Sequence, residues 1–402
     1  MTGQLPNNTQ SRSKVLLIIR PSPSAPACDT NKAQPTVCLL AITHFRLATH
    51  PVSIHHPRTM ATASIPEYVD DAVDSWLICT ACGTQYPTAD RNSLKTCRIC
   101  DDPRQYTPPS GQSFTTMQAL EEACHRNAFH PHTLSHSTTE VGAKGIYPTG
   151  PLLLSIVTEP KFAIGQRAIL VRTIAGNILW DCLTFLDIDT IGRIRALGGL
   201  KAIVISHPHY YSAHAHWANV FKCPVYLACE DKEWLTMKSP SQVFLGADAG
   251  EGGGSDDAAA ATHDILISGQ KSGFQAIRLG GHFPGSLVGL CYRRLFVADT
   301  LITTPAGVGN WEFDAMGSPR SRPPGMNSFA FMWSIPNMIP LSADEVAQMW
   351  ERLKGHEFKS THGAFMGHDI EDPEVKYRVL SSMQIQALRM GWPGHALLGE
   401  SL

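Results

Sequence analysis

Ser206-His207-Pro208-His209-Tyr210-Tyr211-Ser212 is the stretch that decides the fold, because it places two histidines directly after a short β-branched strand predicted over Lys201–Ser206. The two histidines flank a proline, so both imidazoles can point the same way from an extended segment. Further site residues at strand ends or beside glycines are His282, Asp299 and His362. Functional side chains often lie at such places. Imidazoles with a carboxylate suit zinc, or iron or manganese. The sequence therefore predicts a metal site assembled from strand ends.

A single histidine is more often a surface or hydrogen-bonded residue than a metal ligand. We place six histidines of this chain in that ordinary class: His130, His132, His136, His356, His368 and His395. The predicted ligands differ because they occur together, as a His-x-His pair, a glycine-flanked histidine and a strand-end aspartate. That order favours metal binding over chance.

Strand and helix patterns alternate from about residue 115 onward, which predicts a layered α/β domain over residues 115–395 with helices covering sheets. A hairpin turns around Ala175-Gly176-Asn177, and a helix over Asp187–Leu197 ends at two glycines. Further strands are predicted over Pro224–Ala228, Asp264–Ile267, Phe274–Leu279, Leu287–Tyr292 and Leu295–Ala298, and further helices over Glu230–Met237, Ser342–Leu353 and Pro373–Arg389.

Length and composition fit a soluble globular protein. The 402 residues suffice for one large domain and a small one, and 43% of them are hydrophobic. A net charge of −2 gives no general attraction to nucleic acid or anionic lipid, so neither is an expected partner. No apolar run approaches the ~20 residues that span a membrane. Eleven cysteines, four of them clustered, fit a reducing compartment and predict a cytoplasmic protein.

The clustered cysteines are Cys79, Cys82, Cys97 and Cys100, which form two CxxC pairs. Each pair aims two thiolates at one ion from a tight turn, and Gly83 can adopt the positive φ that the first turn needs. We predict a closed, structural zinc site in a small module over residues 76–110. The charges of this module nearly cancel, so packing against the main domain is its expected role.

Two segments lack the pattern of a folded core. Residues 1–60 hold a single acidic residue, Asp29, and are predicted to be a low-order extension, with organelle targeting as the alternative and Met60 as a second possible start. Residues 246–262 are rich in glycine and alanine and are predicted to be a flexible insertion.

The motifs resemble the metallo-β-lactamase superfamily, the hydrolase fold shared with glyoxalase II and the lactonases. Four stretches over roughly residues 115–390 carry the resemblance: Ile178-Leu179-Trp180-Asp181-Cys182, Ser206–Ser212, Gly281-His282-Phe283-Pro284-Gly285-Ser286 and Ala298-Asp299-Thr300-Leu301. The resemblance implies an αββα sandwich with the metal site at one edge between the sheets. It also implies that His207, His209 and His282 hold a first metal, that Asp299 bridges to a second, and that His362 is the last ligand.

One motif departs from the family. Where the family has the Asp and His of HxHxDH, this chain has Tyr211 and Ser212. The first metal position is therefore intact and the second is impaired. Two replacements are possible for the missing ligand, His214 or His216, and the alternative is that both merely cover a helix. Loss of the aspartate, which would act as a general base, is expected to lower the rate.

These features predict a metal-dependent hydrolase that uses a metal-activated water on a small ester, thioester or lactone. Asp299 and Tyr211 are the predicted catalytic residues. Tyr210 or Tyr211 can donate its phenol hydrogen to an oxyanion, although Tyr211 fits a core position equally well. Alternatives are a catalytically impaired metal-binding protein and a non-haem iron oxidoreductase that uses His207, His209 and Asp299. Aromatic residues in the loop 305–340 suggest an apolar pocket for a small organic substrate.

Overall fold

The computed structural model describes residues 65–132, 151–246 and 261–402. All of them belong to one compact unit, Thr62–Leu402. The predicted extension 1–60 and nearly all of the predicted insertion 246–262 lie outside the described residues. Among the residues that are described, no helix is both long and apolar enough to cross a membrane.

The described chain begins with the cysteine-rich segment and continues into the first of two large sheets. Strands β1 (Ile78–Cys79) and β2 (Phe114–Thr115) pair antiparallel, and helix α1 (Met117–Glu122) follows. The first sheet then has seven strands in sequence order: β3 (Arg126–Pro131), β4 (Leu153–Glu159), β5 (Ala168–Thr173), β6 (Gly176–Trp180), β7 (Ala202–Val204), β8 (Val225–Ala228) and β9 (Gln242–Leu245). Its first four strands are antiparallel, and β6 to β9 run parallel.

The second sheet contains six of the described strands. It starts with the antiparallel strands β10 (Thr262–Ile267), β11 (Gln270–Arg278), β12 (Leu287–Cys291) and β13 (Arg294–Phe296). Two short pairs follow in the chain, formed by β14 (Ile302–Thr303) with β15 (Phe329–Ala330) and β16 (Met332–Ser334) with β17 (Ile339–Pro340). Strands β18 (Ser360–His362) and β19 (Asp369–Glu371) complete the sheet, β18 running parallel to β13.

Helices cover the outer face of each sheet, which gives the predicted αββα sandwich. Side chains alternate along β6, so that Leu179 packs with α2 (Ile188–Ala196) and α3 (His214–Phe221) while Trp180 faces the other sheet. The Trp180 ring meets Phe274 at a centroid distance of 6.1 Å. The second sheet packs on the remaining helices α4 (Pro305–Val308), α5 (Ala343–Leu353) and α6 (Val375–Arg389).

The helix ends follow from local side chains. Asp187 caps α2 by accepting a hydrogen bond from the Thr190 N–H at 2.7 Å. Ser342 and Glu345 form a capping box at the start of α5. These two helices match their sequence-based predictions to within two residues at each end.

Some of the predicted elements differ from the structure. The helix predicted over Glu230–Met237 is a 3-10 helix over Cys229–Trp234. Strands β3, β4, β9 and the short strands β14 to β19 were not predicted from the sequence. Strand β3 lacks apolar alternation and includes Pro131, which is tolerated because β3 lies at the edge of its sheet. Two aromatics of the proposed pocket loop, Phe329 and Phe331, are fully buried core residues.

Candidate metal centre

Three histidines and one aspartate converge where the strand ends of the two sheets meet. His207 and His209 follow β7, His282 follows β11, and Asp299 follows β13. Each residue offers one ligand atom, and these atoms all lie within 4.8 Å of one another. Asp299 Oδ2 is 3.4 Å from His207 Nε2, 3.9 Å from His209 Nδ1 and 3.8 Å from His282 Nε2. This spacing is that of ligands around one ion.

The backbone around the cluster turns sharply to present these side chains. Gly280 and Gly281 have φ values of +74° and +84°, which glycine adopts without strain. A Cβ atom on Gly281 would lie 2.8 Å from Thr300 Oγ1. Asp181 also has a positive φ, and its Oδ1 accepts a hydrogen bond from the Ser206 N–H at 2.8 Å. Asp181 thus fixes the backbone that leads into His207.

Hydrogen bonds on the outer ring nitrogens orient two of the imidazoles. His282 Nδ1 lies 2.8 Å from the Trp333 carbonyl oxygen, which can only accept, so Nδ1 carries the proton and Nε2 faces the cluster with its lone pair. His207 Nδ1 lies 2.9 Å from Ser206 Oγ. Its Nε2 is buried and has no hydrogen-bond partner among the described residues. A buried nitrogen without a partner is costly, and a bound metal would satisfy it.

Burial and charge shift the pKa values of His209, His282 and Asp299 toward the protonation states that coordinate a metal. Burial lowers the pKa of His209 to about 4 and that of His282 well below its usual value. Burial by itself would raise the pKa of Asp299, but His207 and His209 outweigh it and hold that pKa well below normal. Neutral imidazoles and an ionised carboxylate are the forms that coordinate metals. The residues present therefore fit one divalent cation.

The second oxygen of Asp299 is already occupied. Tyr210 is fully buried, and its hydroxyl donates a hydrogen bond of 2.8 Å to Asp299 Oδ1. This oxygen is the one that would be available to bridge to a second ion. The Asp299 carboxylate therefore has one oxygen near the three histidines and the other bound to Tyr210. That the second metal position is impaired stays a prediction.

The proposed replacement ligands lie outside the cluster. His214 Nδ1 lies 2.9 Å from the Tyr211 carbonyl oxygen and its Nε2 lies 2.9 Å from Gln242 Nε2, so both ring nitrogens have partners within the core. His216 Nδ1 faces the Tyr68 hydroxyl at 3.5 Å. Neither histidine joins the four ligands in the structure.

Tyr211 and Ser212 are packing residues in the structure. The buried Tyr211 ring belongs to the core beneath the first sheet, and its hydroxyl donates to the Asp231 carbonyl oxygen at 3.4 Å. Ser212 Oγ donates to the Cys182 carbonyl oxygen at 3.2 Å. The catalytic role expected for Tyr211 is therefore not supported by its position. The phenol that reaches the cluster is that of Tyr210.

His362 lies in a different polar cluster from the predicted ligands. Its Nδ1 is 2.8 Å from Asp369 Oδ1, and its Nε2 is 3.1 Å from Ser360 Oγ. Arg167 binds both oxygens of Asp369, at 2.6 and 3.0 Å. His132 also belongs to this group, and its Nε2 forms a hydrogen bond of 2.7 Å with Ser155 Oγ. The fully buried guanidinium of Arg167 already neutralises the carboxylate, so this group reads as a hydrogen-bonded bridge between the sheets.

The four cysteines form a second, closed site. Cys79 Sγ is 3.6 Å from Cys100 Sγ, and Cys82 Sγ is 3.5 Å from Cys97 Sγ. A zinc ion with bonds of about 2.3 Å to four sulfurs requires sulfur separations of about 3.8 Å, whereas a disulfide requires about 2 Å. All four cysteines are buried and free. The sulfurs therefore fit one tetrahedral zinc ion.

The cysteine module packs directly against the metal-binding domain. Thr184 Oγ1 donates to the Gly83 carbonyl oxygen at 2.7 Å, and Ser334 Oγ donates to the Arg104 carbonyl oxygen at 3.0 Å. The Arg104 guanidinium lies 3.9 Å from the centre of the Phe283 ring. Phe283 directly follows the ligand His282. Arg104 therefore lies near the site, although it was not predicted to do so from the sequence. Nothing in its local sequence links it to the turn that contains Phe283.

Known proteins resemble both the sequence and the fold of this chain. The family model of the metallo-beta-lactamase superfamily matches residues 164–337. An uncharacterized protein of Bacillus subtilis strain 168, YmaE, is 33% identical over 320 residues, which cover 78% of this chain and 95% of that protein.

Solved structures match over smaller parts of the chain. One is a B3 metallo-beta-lactamase with an active-site glutamic acid, at a TM-score of 0.34 and 13% identity over 61% of this chain and 89% of that one. Another is the chemotaxis sensor ODP, at a TM-score of 0.38 and 16% identity over 59% of this chain and 93% of that one. The family match and the bacterial relative show that this chain belongs to the metallo-beta-lactamase superfamily.

Proposed function

We propose that this protein is a hydrolase with a single catalytic metal ion that acts on a small ester, thioester or lactone. The observation that carries the proposal is the convergence of His207 Nε2, His209 Nδ1, His282 Nε2 and Asp299 Oδ2 on one position. A divalent metal bound there would lower the pKa of a coordinated water to about 7 and would polarise a carbonyl oxygen. Zinc, iron and manganese all suit this ligand set.

The chain's own residues orient the ligands and limit the metal count. Trp333 and Ser206 fix two imidazoles, and Tyr210 occupies the outer oxygen of Asp299. The general base of the family's HxHxDH motif is replaced by a tyrosine that faces the core. A missing general base costs roughly 10²–10⁴-fold in rate, so slow hydrolysis is expected.

The test is a hydrolysis assay with purified protein loaded separately with zinc, manganese or iron. Substrates are a 4-nitrophenyl ester, a thioester and a homoserine lactone, which represent the three carbonyl classes. Hydrolysis that requires metal and is lost in His282→Ala supports the proposal. His130→Ala is the matched control, because His130 is half-buried on the edge strand β3 and should retain the activity.

A second candidate function is oxidation by a non-haem iron centre. The observation in its favour is that His207, His209 and Asp299 alone make up a two-histidine, one-carboxylate set. Oxygen consumption by the iron-loaded protein, with no hydrolysis under any metal, would favour this candidate. Absence of both activities in metal-loaded protein would favour a catalytically impaired metal-binding protein.

A further inference from the structure

We infer that the substrate carries a carboxylate group and that Arg104 of the cysteine module binds it. This inference rests on the proposed hydrolytic function and names the substrate class of the same site. The cysteine module would then be part of the substrate-binding wall, in addition to being a folded unit held by its own zinc.

The first observation is a cleft of about 320 Å³ that opens beside the ligand His282. Arg104, Arg278 and Arg352 line it together with a single carboxylate, that of Glu345. Carboxylates offset these charges, because Asp102 pairs with Arg104 and Glu230 pairs with Arg278. What the cleft offers an anion is therefore guanidinium N–H donors and not a net positive charge.

The second observation is the way in which Arg104 is held. Its Nη1 donates to Asp102 Oδ2 at 2.9 Å, and the Arg104 backbone N–H donates to Asp102 Oδ1 at 2.7 Å. The Asp102 side chain has no exposed surface, whereas that of Arg104 is 15% exposed. The carboxylate therefore lies behind the guanidinium and orients it. A guanidinium has five N–H donors, and Nε has no partner among the described residues.

The third observation is the short distance between Arg104 and the metal ligands. The guanidinium stacks on the Phe283 ring, whose centre is 4.8 Å from that of His209 and 5.1 Å from that of His282. One aromatic ring thus separates the positive charge from two metal ligands. A small substrate whose carbonyl group is at the metal can place a second group, a few carbon atoms away, at Arg104.

The other two arginines of the cleft are engaged with the protein. Arg278 pairs with Glu230 at 2.7 Å, and Arg352 Nη1 donates to the Leu279 carbonyl oxygen at 2.8 Å. Because Asp102, Glu230 and Glu345 already offset the positive charge of the three arginines, a singly charged group fits better than a doubly charged one. Arginine binds carboxylates with planar, charge-assisted hydrogen bonds. These facts favour a carboxylate over a phosphate.

The experiment compares two esters of equal chain length and leaving group, 4-nitrophenyl hydrogen glutarate and 4-nitrophenyl pentanoate. The measured quantity is the kcat/KM for the charged ester divided by that for the neutral one. We expect a ratio above one in the unmodified protein. In Arg104→Gln the ratio should fall roughly 10- to 100-fold, since hydrogen bonds to charged groups are of that strength. In Lys95→Gln, which removes an exposed charge from the same module, it should not change.

A ratio of one or less in the unmodified protein, or an unchanged ratio in Arg104→Gln, would overturn the inference. Should Arg104→Gln fail to fold, Arg104→Lys takes its place, because lysine keeps the charge but loses the planar pair of donors. The ratio should then fall severalfold, and no fall would overturn the inference.

A binding measurement distinguishes failure of the proposed hydrolytic function from failure of the inference about Arg104. If neither ester is hydrolysed, the hydrolase proposal fails. Calorimetry with glutarate and with neutral pentanamide then tests whether Arg104 binds a carboxylate. The metal-loaded unmodified protein should bind glutarate more tightly than pentanamide. The Arg104→Gln variant should bind glutarate about tenfold less tightly than the unmodified protein does. Equal binding of glutarate to both proteins would overturn the inference.

Discussion

Two neighbouring side chains, Tyr210 and Tyr211, bear on the proposal that the centre holds a single metal ion. Asp299 has two oxygens, of which Oδ2 faces three imidazoles and Oδ1 accepts the hydrogen bond of Tyr210. Tyr210 and Tyr211 are adjacent and both buried, yet only the first reaches the cluster. Removing the hydroxyl from each tyrosine in turn therefore compares a phenol that contacts Asp299 with a neighbouring one that does not.

Tyr210→Phe should weaken metal binding at the centre roughly 10- to 100-fold, because groups that hydrogen-bond to ligands typically contribute that much affinity. Tyr211→Phe should leave it unchanged, since that hydroxyl faces the Asp231 carbonyl oxygen in the core. Competition with a chelator of known affinity measures both variants. Equal affinities in the two variants would contradict this account of Tyr210.

The convergence of His207, His209, His282 and Asp299 could be predicted from the sequence, because each lies at a strand end or follows a glycine within a short motif. The place of His362 could not be predicted, because its partner Asp369 is also held by Arg167, which is some 200 residues away in the chain. His214 was not excluded by spacing alone. Its exclusion depends on Gln242, a residue of β9 that satisfies the second ring nitrogen.

At the level of strands and helices, the two sheets are joined by a polar bridge as well as by their apolar faces. Arg167, at the start of β5 in the first sheet, binds Asp369, at the start of β19 in the second. Its Nε also donates to the Gly363 carbonyl oxygen at 2.9 Å. A layered α/β domain was predictable from the alternating strand and helix patterns, and the αββα order from the family resemblance. This bridge was not predictable, because it joins isolated polar residues.

Asp369→Asn should destabilise the fold, because it leaves the buried Arg167 guanidinium without its counter-charge. Breaking a buried ion pair typically costs about 3–5 kcal/mol, and the Asp369 side chain is 30% exposed, so we expect a loss near the lower end, about 3 kcal/mol. The midpoint of urea unfolding measures the change. Asp71→Asn, at an exposed position, is the control. An unfolding midpoint for Asp369→Asn equal to that of the control would contradict the bridge.

Among the described residues, two candidate metal sites differ in kind, the four cysteines and the histidine–aspartate cluster. The cysteine site is closed by four thiolates, which suits a structural ion, while the histidine site borders a cleft. The module packs against the loops that follow the ligand His282, so its integrity matters for the neighbouring site.

Cys79→Ser should lose the structural zinc and lower stability or cause aggregation, because three thiolates leave the site open. Cys124→Ser, at an exposed cysteine outside the module, should keep both zinc and stability. Metal analysis together with thermal unfolding measures the two effects. Full zinc content and unchanged unfolding in Cys79→Ser would show that the four cysteines do not form a zinc site.

The central claim is that the chain holds one structural ion and one catalytic ion, which the number of metal equivalents per chain tests most directly. Elemental analysis of metal-saturated protein after removal of loosely bound ions should find two equivalents. His282→Ala should retain one equivalent and His130→Ala should retain two. Three equivalents in the unmodified protein would contradict the account, since a third ion requires ligands beyond the four cysteines and the four residues of the histidine site. Two equivalents in His282→Ala would also contradict it, because the remaining three residues would then hold the ion without His282.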